Sequence, residues 1–260
     1  TEEGNFKGLN ILSEKENIKI SSEEQKNLNI AIQVLNNERD RRIKPFFDNK
    51  EQTDLNCYWF YSNIFASLIL SDENKYNSTI KSIKFLINKF DKKIYHCFNK
   101  NSAEVNVFLE DYVYLLQLLM TLYEFENDSS SLEKCKLLAE EVWELFLNKD
   151  NNFLQKNTVY DNDLFVSPVD IVDNNIPNGN SIYLMICNKL KNITGNKNWK
   201  LKIDLLSKTY HSYINFNYSQ MFSYIKILDI CENDITVTIY GYYKKNKNLI
   251  KQINKIFMGD

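Results

Sequence analysis

The sequence predicts an all-α fold in which buried inner helices alternate with amphipathic outer helices, as they do in an α/α barrel. Three observations predict it. The segment 107–125 is apolar over most of its circumference, which is typical of a helix buried on all sides. Amphipathic segments follow the buried ones. The 260 residues include only 3 Pro and 6 Gly, so few residues interrupt helices.

The helical segments come in inner and outer pairs. A first helix over 22–44 precedes the pairs and stops before Pro45. Apolar positions on several faces indicate an inner helix, and apolar positions recurring at threes and fours indicate an outer one. The predicted pairs are 53–70 with 74–90, 107–125 with 130–146, and 180–193 with 198–213; a helix at 217–231 begins a fourth pair.

Two long connections and the tail have a different character. The connections 91–106 and 149–178 contain short aromatic or β-branched runs, which predict small β-hairpins or ordered loops. The β-branched run 234–241 predicts a strand, and a helix follows at 245–257. We therefore expect residues 1–232 to form the barrel portion and residues 233–260 to form a strand and helix appended to it.

The spacing of the inner helices distinguishes a closed barrel from an α-solenoid. Asn56, Glu110 and Asn180 mark equivalent points on three inner helices and are 54 and 70 residues apart. Common helical repeats are about 34 to 47 residues long. These longer, uneven intervals favour the barrel.

The bulk composition excludes several kinds of partner. With 32 basic and 34 acidic residues, the net charge of −2 predicts no nucleic-acid partner and no anionic membrane surface. The apolar runs end well before the ~20 residues that a membrane-spanning helix needs. The five cysteines form no C-x-x-C pair, so we expect reduced thiols in a cytoplasmic protein, with no metal and no other cofactor.

Polar residues stand at the start of every predicted inner helix. If these helices run parallel in a ring, their starts meet at one end of the barrel and line a funnel. Asp, Asn and Ser are also ordinary helix caps, which is the simpler interpretation. Asp111 is unusual because it heads an apolar row on its helix. We expect it to be buried, with backbone N–H groups, or a cation from Arg42 or Lys50, as its partner.

Three motifs resemble successive motifs of one protein family. They are the run from Arg39 to Lys50, the sequence Phe108-Leu-Glu110-Asp111-Tyr112, and the sequence Ile176-Pro177-Asn-Gly179-Asn180-Ser181. Their order and spacing are similar, over nearly the whole chain, to the thioredoxin-domain proteins related to spermatogenesis-associated protein 20. The chain has Asp48-Asn49-Lys50, Leu55-Asn56-Cys57 and Pro177-Asn178-Gly179 where that family usually reads D-D-K, W-N-G and P-S-G.

The resemblance implies a more specific architecture. It implies an (α/α)6-barrel-like fold, a six-hairpin toroid, similar to N-acylglucosamine 2-epimerases and six-hairpin glycosidases. It also implies that this chain lacks the family's N-terminal thioredoxin-like domain and that its barrel is incomplete at the N-terminus.

The motifs also supply the candidate site. Glu110 and Asp111 are the candidate acid and base, although adjacent helix residues point about 100° apart, so a second carboxylate such as Asp48 or Asp173 would be needed. The epimerases use a pair of histidines, whereas His96 and His211 are expected here to be structural or at the surface. The candidate ligand-binding residues are Arg42, Asp48, Lys50, Asn56, Tyr112, Asn178, Gly179, Asn180 and Ser181.

Two functions remain open from the sequence. The funnel binds a small polar or carbohydrate-like ligand, with or without a reaction. Alternatively, the chain is a non-catalytic binding or scaffold module that partners the thioredoxin-like domain of the same full-length protein. A concave pocket around the candidate residues would favour the first function, and a funnel filled by aromatic rings would favour the second.

Overall fold

A computed structural model describes residues 4, 6–8, 11, 19–90, 93–97, 106–161, 165–233 and 248–253. The chain divides into two compact units, Thr1–Asp48 and Asn49–Asp260. The first unit contains helix α1 (Ser22–Asp40), none of whose residues is buried. Ser21 begins this helix with a capping box, in which its hydroxyl accepts from the Glu24 N–H and its own N–H donates to the Glu24 carboxylate.

The second unit contains the paired helices that the sequence predicts. They are α2 (Thr53–Ile69), α3 (Glu73–Lys89), α4 (Leu109–Glu126), α5 (Ser129–Phe146), α6 (Gly179–Thr194), α7 (Lys197–Asn217) and α8 (Phe222–Asn233). A short antiparallel hairpin joins β1 (Leu147–Asn148) to β2 (Phe153–Leu154), as predicted for that connection. Residues 248–253 are helical, and the predicted strand at 234–241 lies outside the described residues.

The inner helices α2, α4 and α6 run parallel. Tyr58 and Phe65 of α2 contact Tyr114 and Phe125 of α4, with ring centroids 5.3 and 6.0 Å apart. The earlier residue of α2 therefore contacts the earlier residue of α4, and the later residue contacts the later one, so the two helices run in the same direction. The same holds for α4 and α6, whose starts pack together, while near their ends Lys189 Nζ lies 2.7 Å from a carboxylate oxygen of Glu124.

The outer helices run the opposite way. The Tyr76 hydroxyl, at the start of α3, donates to Glu126 at the end of α4 over 2.8 Å. The Tyr210 hydroxyl, in the second half of α7, donates to Asn178 just before α6 over 2.9 Å. This alternation of parallel inner and antiparallel outer helices is the predicted α/α-barrel-like fold.

A buried cation joins two outer helices. Lys202 of α7, 7% exposed, pairs with Glu140 of α5. Its Nζ lies 5.2 and 4.7 Å from the ring centroids of Trp143 and Trp199. The two indole faces and the carboxylate together compensate for the loss of solvent around the ammonium group.

The connections at the two ends of the helices differ in length. Each inner helix passes to its outer partner by a short turn containing a residue with positive φ, namely Ser71, Asn127 or Gly195. The outer helices α3 and α5 return through the long connections 90–108 and 147–178, whereas α7 leads to α8 through residues 218–221 alone. In the second of these, Asn180 of α6 accepts from the N–H of Leu154 over 2.9 Å and donates to its carbonyl over 2.8 Å.

Helix α2 differs from the prediction that inner helices are buried on all sides. Leu55 is 48% exposed and Trp59 is 63% exposed. Within the described residues, α2 packs mainly against α3 and α4, and its remaining side faces solvent. None of the described helices combines the length and apolarity required to cross a membrane.

Candidate functional site

The first turns of α2, α4 and α6 meet at one end of the second unit. The Asp54 N–H of α2 donates to Asp111 Oδ1 of α4 over 3.2 Å. On the other side of α4, a Cβ built on Gly179 would lie 3.0 Å from the Leu109 side chain and 3.1 Å from Glu110 Oε1. The polar starts of three inner helices therefore lie together, in the geometry that the sequence predicts.

Asp111 is fully buried and has several hydrogen-bond partners. Its Oδ2 accepts from the Phe108 N–H over 2.9 Å, which caps α4. His96 Nδ1 lies 3.0 and 3.1 Å from the two carboxylate oxygens. The hydrogen bond to Asp111 raises the pKa of His96, against the opposing effect of burial. The burial of Asp111 and its backbone N–H partners were predicted correctly. Its side-chain partner is His96, in place of Arg42 or Lys50, the cations that the sequence offered as the alternative.

His96 is held in place by residues at the start of α2. The Thr53 N–H donates to the His96 carbonyl over 2.9 Å, and the Thr53 hydroxyl donates to the Tyr95 carbonyl. Gln52 Nε2 lies 3.1 Å from His96 Nε2. Sequence reasoning left His96 out of the site. The available signal was that a buried carboxylate needs a cation, and one of the two histidines of the chain lies in the connection that leads to α4.

Asp54 completes a cluster with this pair. It is half-buried, and burial, together with the nearby Asp111 carboxylate, raises its pKa. One oxygen each of Asp54 and Asp111 and one ring nitrogen of His96 lie within 4.8 Å of one another. Two carboxylates and an imidazole are a mixed oxygen and nitrogen donor set.

Glu110 lies on the other side of the first turn of α4. Its Oε2 is buried, and no atom of the described residues forms a hydrogen bond with it. The pKa of Glu110 is raised to about 7, chiefly by burial. The Asp170 carboxylate contributes to this rise, while a backbone hydrogen bond at Glu110 and the Lys156 ammonium group oppose it. Lys156 and Asp170 form an ion pair of 3.4 Å. Glu110 is therefore a carboxylic acid that is partly protonated near neutral pH.

Tyr114, one helical turn after Glu110 on α4, lies near the Glu110 carboxylate. Tyr114 is fully buried and its hydroxyl donates to the Pro177 carbonyl, while Tyr58 packs on its ring and is half-buried. A cavity of about 330 Å³ lies at the opposite end of α2, lined by the α2–α3 turn and residues 248–252. That cavity contains none of the candidate site residues.

The candidate residues at the start of α6 form hydrogen bonds mainly with backbone groups of the protein. Asn178 caps α6 by accepting from the Ser181 N–H over 2.9 Å. Asn180 is bound to Leu154, and Ser181 Oγ is buried without a hydrogen-bond partner among the described residues. Asp173 accepts from the N–H groups of Asn178 and Ser223, so this proposed second carboxylate joins the starts of α6 and α8.

The remaining candidates are more scattered. Asn56 Nδ2 donates to the Gln52 carbonyl within its own helix. The Tyr112 hydroxyl donates to Glu141 of the outer helix α5, so Tyr112 departs from the predicted ligand-facing position because the next residue along a helix points to a different side. Lys50 is exposed in the second unit. The other two candidates, Arg42 and Asp48, and His211 of α7 are also exposed, the first two in the first unit.

Comparison with known proteins gives one informative result. No family model matches the chain, and no curated protein sequence matches it. Among solved structures, it is similar to the GH76 α-mannanase BT2949 of Bacteroides thetaiotaomicron, with a TM-score of 0.55 and 15% sequence identity, over 90% of this chain and 68% of that chain. At this identity the likeness shows the fold alone, and the chain has the α/α-barrel-like fold of a glycosidase.

Proposed function

We propose that the end of the barrel formed by the first turns of α2, α4 and α6 binds a small polar or carbohydrate-like ligand. The observation that carries the proposal is Glu110, a carboxyl group with a pKa raised to about 7 and a buried oxygen that has no hydrogen-bond partner among the residues that the structure describes. A buried polar atom without a hydrogen bond is costly, and a ligand hydroxyl would satisfy it.

The surroundings of Glu110 fit such a ligand. Tyr58, which is half-buried and packs on Tyr114, provides ring surface, and the Lys156–Asp170 pair provides a nearby donor and acceptor. A few polar groups among aromatic side chains are typical of small-molecule sites. In its protonated form, Glu110 would donate a hydrogen bond to a ligand oxygen, which is also what a general acid does.

Hydrolysis of a glycosidic bond would require a second carboxylate facing Glu110. Asp111 does not meet this requirement, because its two oxygens already interact with backbone N–H groups and with His96. Asp170 adjoins Glu110 and is the better candidate. The two carboxyl groups of glycosidases are about 5 to 9.5 Å apart, depending on the stereochemical outcome. Ligand binding is therefore the proposal, and hydrolysis is its extension.

Calorimetric titration with α-linked manno-oligosaccharides tests the proposal, because the structurally similar protein is an α-mannanase. We expect Glu110→Gln to weaken binding by about tenfold, the loss of one good hydrogen bond. Glu144→Gln, on the exposed side of α5, is the matched control and should bind as the wild type does. Equal binding by the wild type and Glu110→Gln, or no binding of any oligosaccharide, would contradict the proposal. Product analysis after prolonged incubation would detect hydrolysis.

The second candidate function is a non-catalytic module that partners a thioredoxin-like domain. The exposed apolar side of α2, with Leu55 and Trp59, favours it, as does the packing of Tyr58 against Tyr114 beside Glu110. If this function holds, replacing Leu55 and Trp59 by Ser abolishes association with a thioredoxin-like domain supplied in trans. Unchanged association in the double variant, or no association of the wild type, would contradict it.

A further inference from the structure

A second set of side chains at this end of the barrel has the composition of a metal site. The ligating atoms of Asp54, His96 and Asp111 lie within 4.8 Å of one another, the one such group among the residues that the structure describes. They come from three separate segments: the first turn of α2, the segment 93–97 and the first turn of α4. Glu110 is not part of this group, so the inference that follows does not depend on the proposed function.

The spacing of the donor atoms suits an ion bound between them. Zinc ligands of this kind lie about 2.1 Å from the ion, so two neighbouring ligand atoms of a tetrahedral site are about 3.4 Å apart. His96 Nδ1 lies 3.0 and 3.1 Å from the two oxygens of Asp111, and all three donors lie within 4.8 Å of one another. Side-chain movements of about 1 Å would therefore bring the three donors to the spacing that an ion needs. The His96 side chain is 14% exposed, which gives solvent access to the group.

The donors are held in position before any ion binds. The Phe108 and Asp54 N–H groups orient the fully buried Asp111 carboxylate. Thr53 fixes the backbone of His96 through its own N–H. Such fixed positions reduce the ordering cost of binding.

Gln52 provides the outer contact that a metal-bound histidine needs. Its side-chain amide lies 3.1 Å from His96 Nε2. When an ion takes Nδ1, the Nε2 atom carries the proton, and the amide can rotate so that its oxygen accepts that proton. Metal-bound histidines nearly always donate their other N–H to such a partner, which fixes the ring orientation.

We propose that Asp54, His96 and Asp111 bind one divalent transition-metal ion, with water in the remaining positions. Two carboxylates and an imidazole suit Zn²⁺, Co²⁺ or Mn²⁺, whereas Mg²⁺ and Ca²⁺ prefer oxygen ligands alone. On binding, the ion replaces the proton on Nδ1 of the protonated His96, and that proton leaves to solvent. The net charge of the three side chains and the ion is then zero, compared with −1 before binding. The ion would tie the start of α2 to the start of α4.

Calorimetric titration of the chelator-treated full chain with ZnCl₂ tests this site. We expect one equivalent to bind with a Kd of about 1 µM or tighter. Asp54→Asn and His96→Gln should each weaken binding by at least about 100-fold, and Gln52→Ala, which removes only the outer contact, by about 10- to 100-fold. His211→Gln, an exposed position on α7, is the matched control.

Two further measurements keep the test decisive. Circular dichroism establishes that each variant is folded. Gln52→Ala and Asp54→Asn alter partly exposed side chains, so these two variants test the site even if His96→Gln unfolds. The five cysteine thiols of the chain are competing ligands for such an ion. If the ion binds at the proposed site, the spectrum of the Co²⁺ complex should lack thiolate charge-transfer bands. No binding by the folded wild type, a thiolate spectrum, or undiminished binding in Asp54→Asn and Gln52→Ala would overturn the proposal.

Discussion

Replacing Glu110 by Gln should change how the stability of the protein depends on pH. The folded state raises the pKa of Glu110 from 4.5 to about 7. Between these values the folded state holds a proton that the unfolded state has released. Wild-type stability therefore falls as pH rises through this interval, because ionisation is disfavoured in the folded protein. Gln cannot ionise, so the variant does not lose this stability.

The magnitude follows from the shift of the pKa. A shift of one pKa unit corresponds to 1.36 kcal/mol, so a rise from 4.5 to about 7 corresponds to about 3 kcal/mol. The penalty is absent below pH 4.5 and complete above pH 7. The free energy of unfolding of Glu110→Gln, minus that of the wild type, should increase by about 3 kcal/mol from pH 4.5 to pH 8.

Urea unfolding at half-unit pH intervals measures this difference directly. Other titrating groups are present in both proteins, and their contributions largely cancel in the subtraction. His96 cancels only in part, because the Glu110 charge contributes, as the smallest of several causes, to the raised pKa of His96. Glu144→Gln on the exposed side of α5 is the control, and its stability should follow that of the wild type at every pH. Stability curves for Glu110→Gln and the wild type that stay parallel within about 0.5 kcal/mol would show that Glu110 titrates normally. That result would refute the protonated Glu110 on which the proposed function depends.

Three further substitutions test the packing around the site and the outer helices, each measured by urea unfolding. Gly179→Ala should cost about 1 to 3 kcal/mol because its Cβ would meet the Leu109 side chain at 3.0 Å, and an unchanged stability would show that α4 yields freely there. Asp111→Leu should cost about 3 to 5 kcal/mol because it leaves buried N–H groups and His96 without their acceptor; a cost under about 1 kcal/mol would contradict the paired role. Lys202→Met should cost about 1 to 2 kcal/mol through loss of the cation between two indole rings, whereas Lys202→Arg should cost less; equal costs would argue against a charge effect.

Helix α4 shows how much a local pattern can predict. Its apolar circumference predicted burial, and the position of Asp111 on an apolar row at the first turn predicted a buried anion. The residue is fully buried. Both inferences depend only on the period of the helix and on the N–H groups at its start, which are properties of neighbouring residues.

His96 shows where such reasoning ends. Its connection has no periodicity, and it reaches α2 through a backbone bond to Thr53 that has no sequence signature. The exposure of Trp59 is a similar case. An apolar residue type indicates that a side chain can be buried, but it does not indicate which helix, if any, packs against it. Tyr112 adds the third case, since one position along α4 separates a residue facing the inner ring from one that reaches α5.

The unequal connections of the helices give the barrel one end at which all three inner-to-outer turns are short and another end at which two of the connections are long. The three short turns contain no spare residues. In each turn a residue with positive φ ends or follows the inner helix, and the outer helix begins two residues later. The long connections at the other end can gain or lose residues at little entropic cost, because loop closure depends weakly on length. Segments from other barrels could therefore be grafted between β2 and α6, provided that the amide bridge from Asn180 to Leu154 is retained.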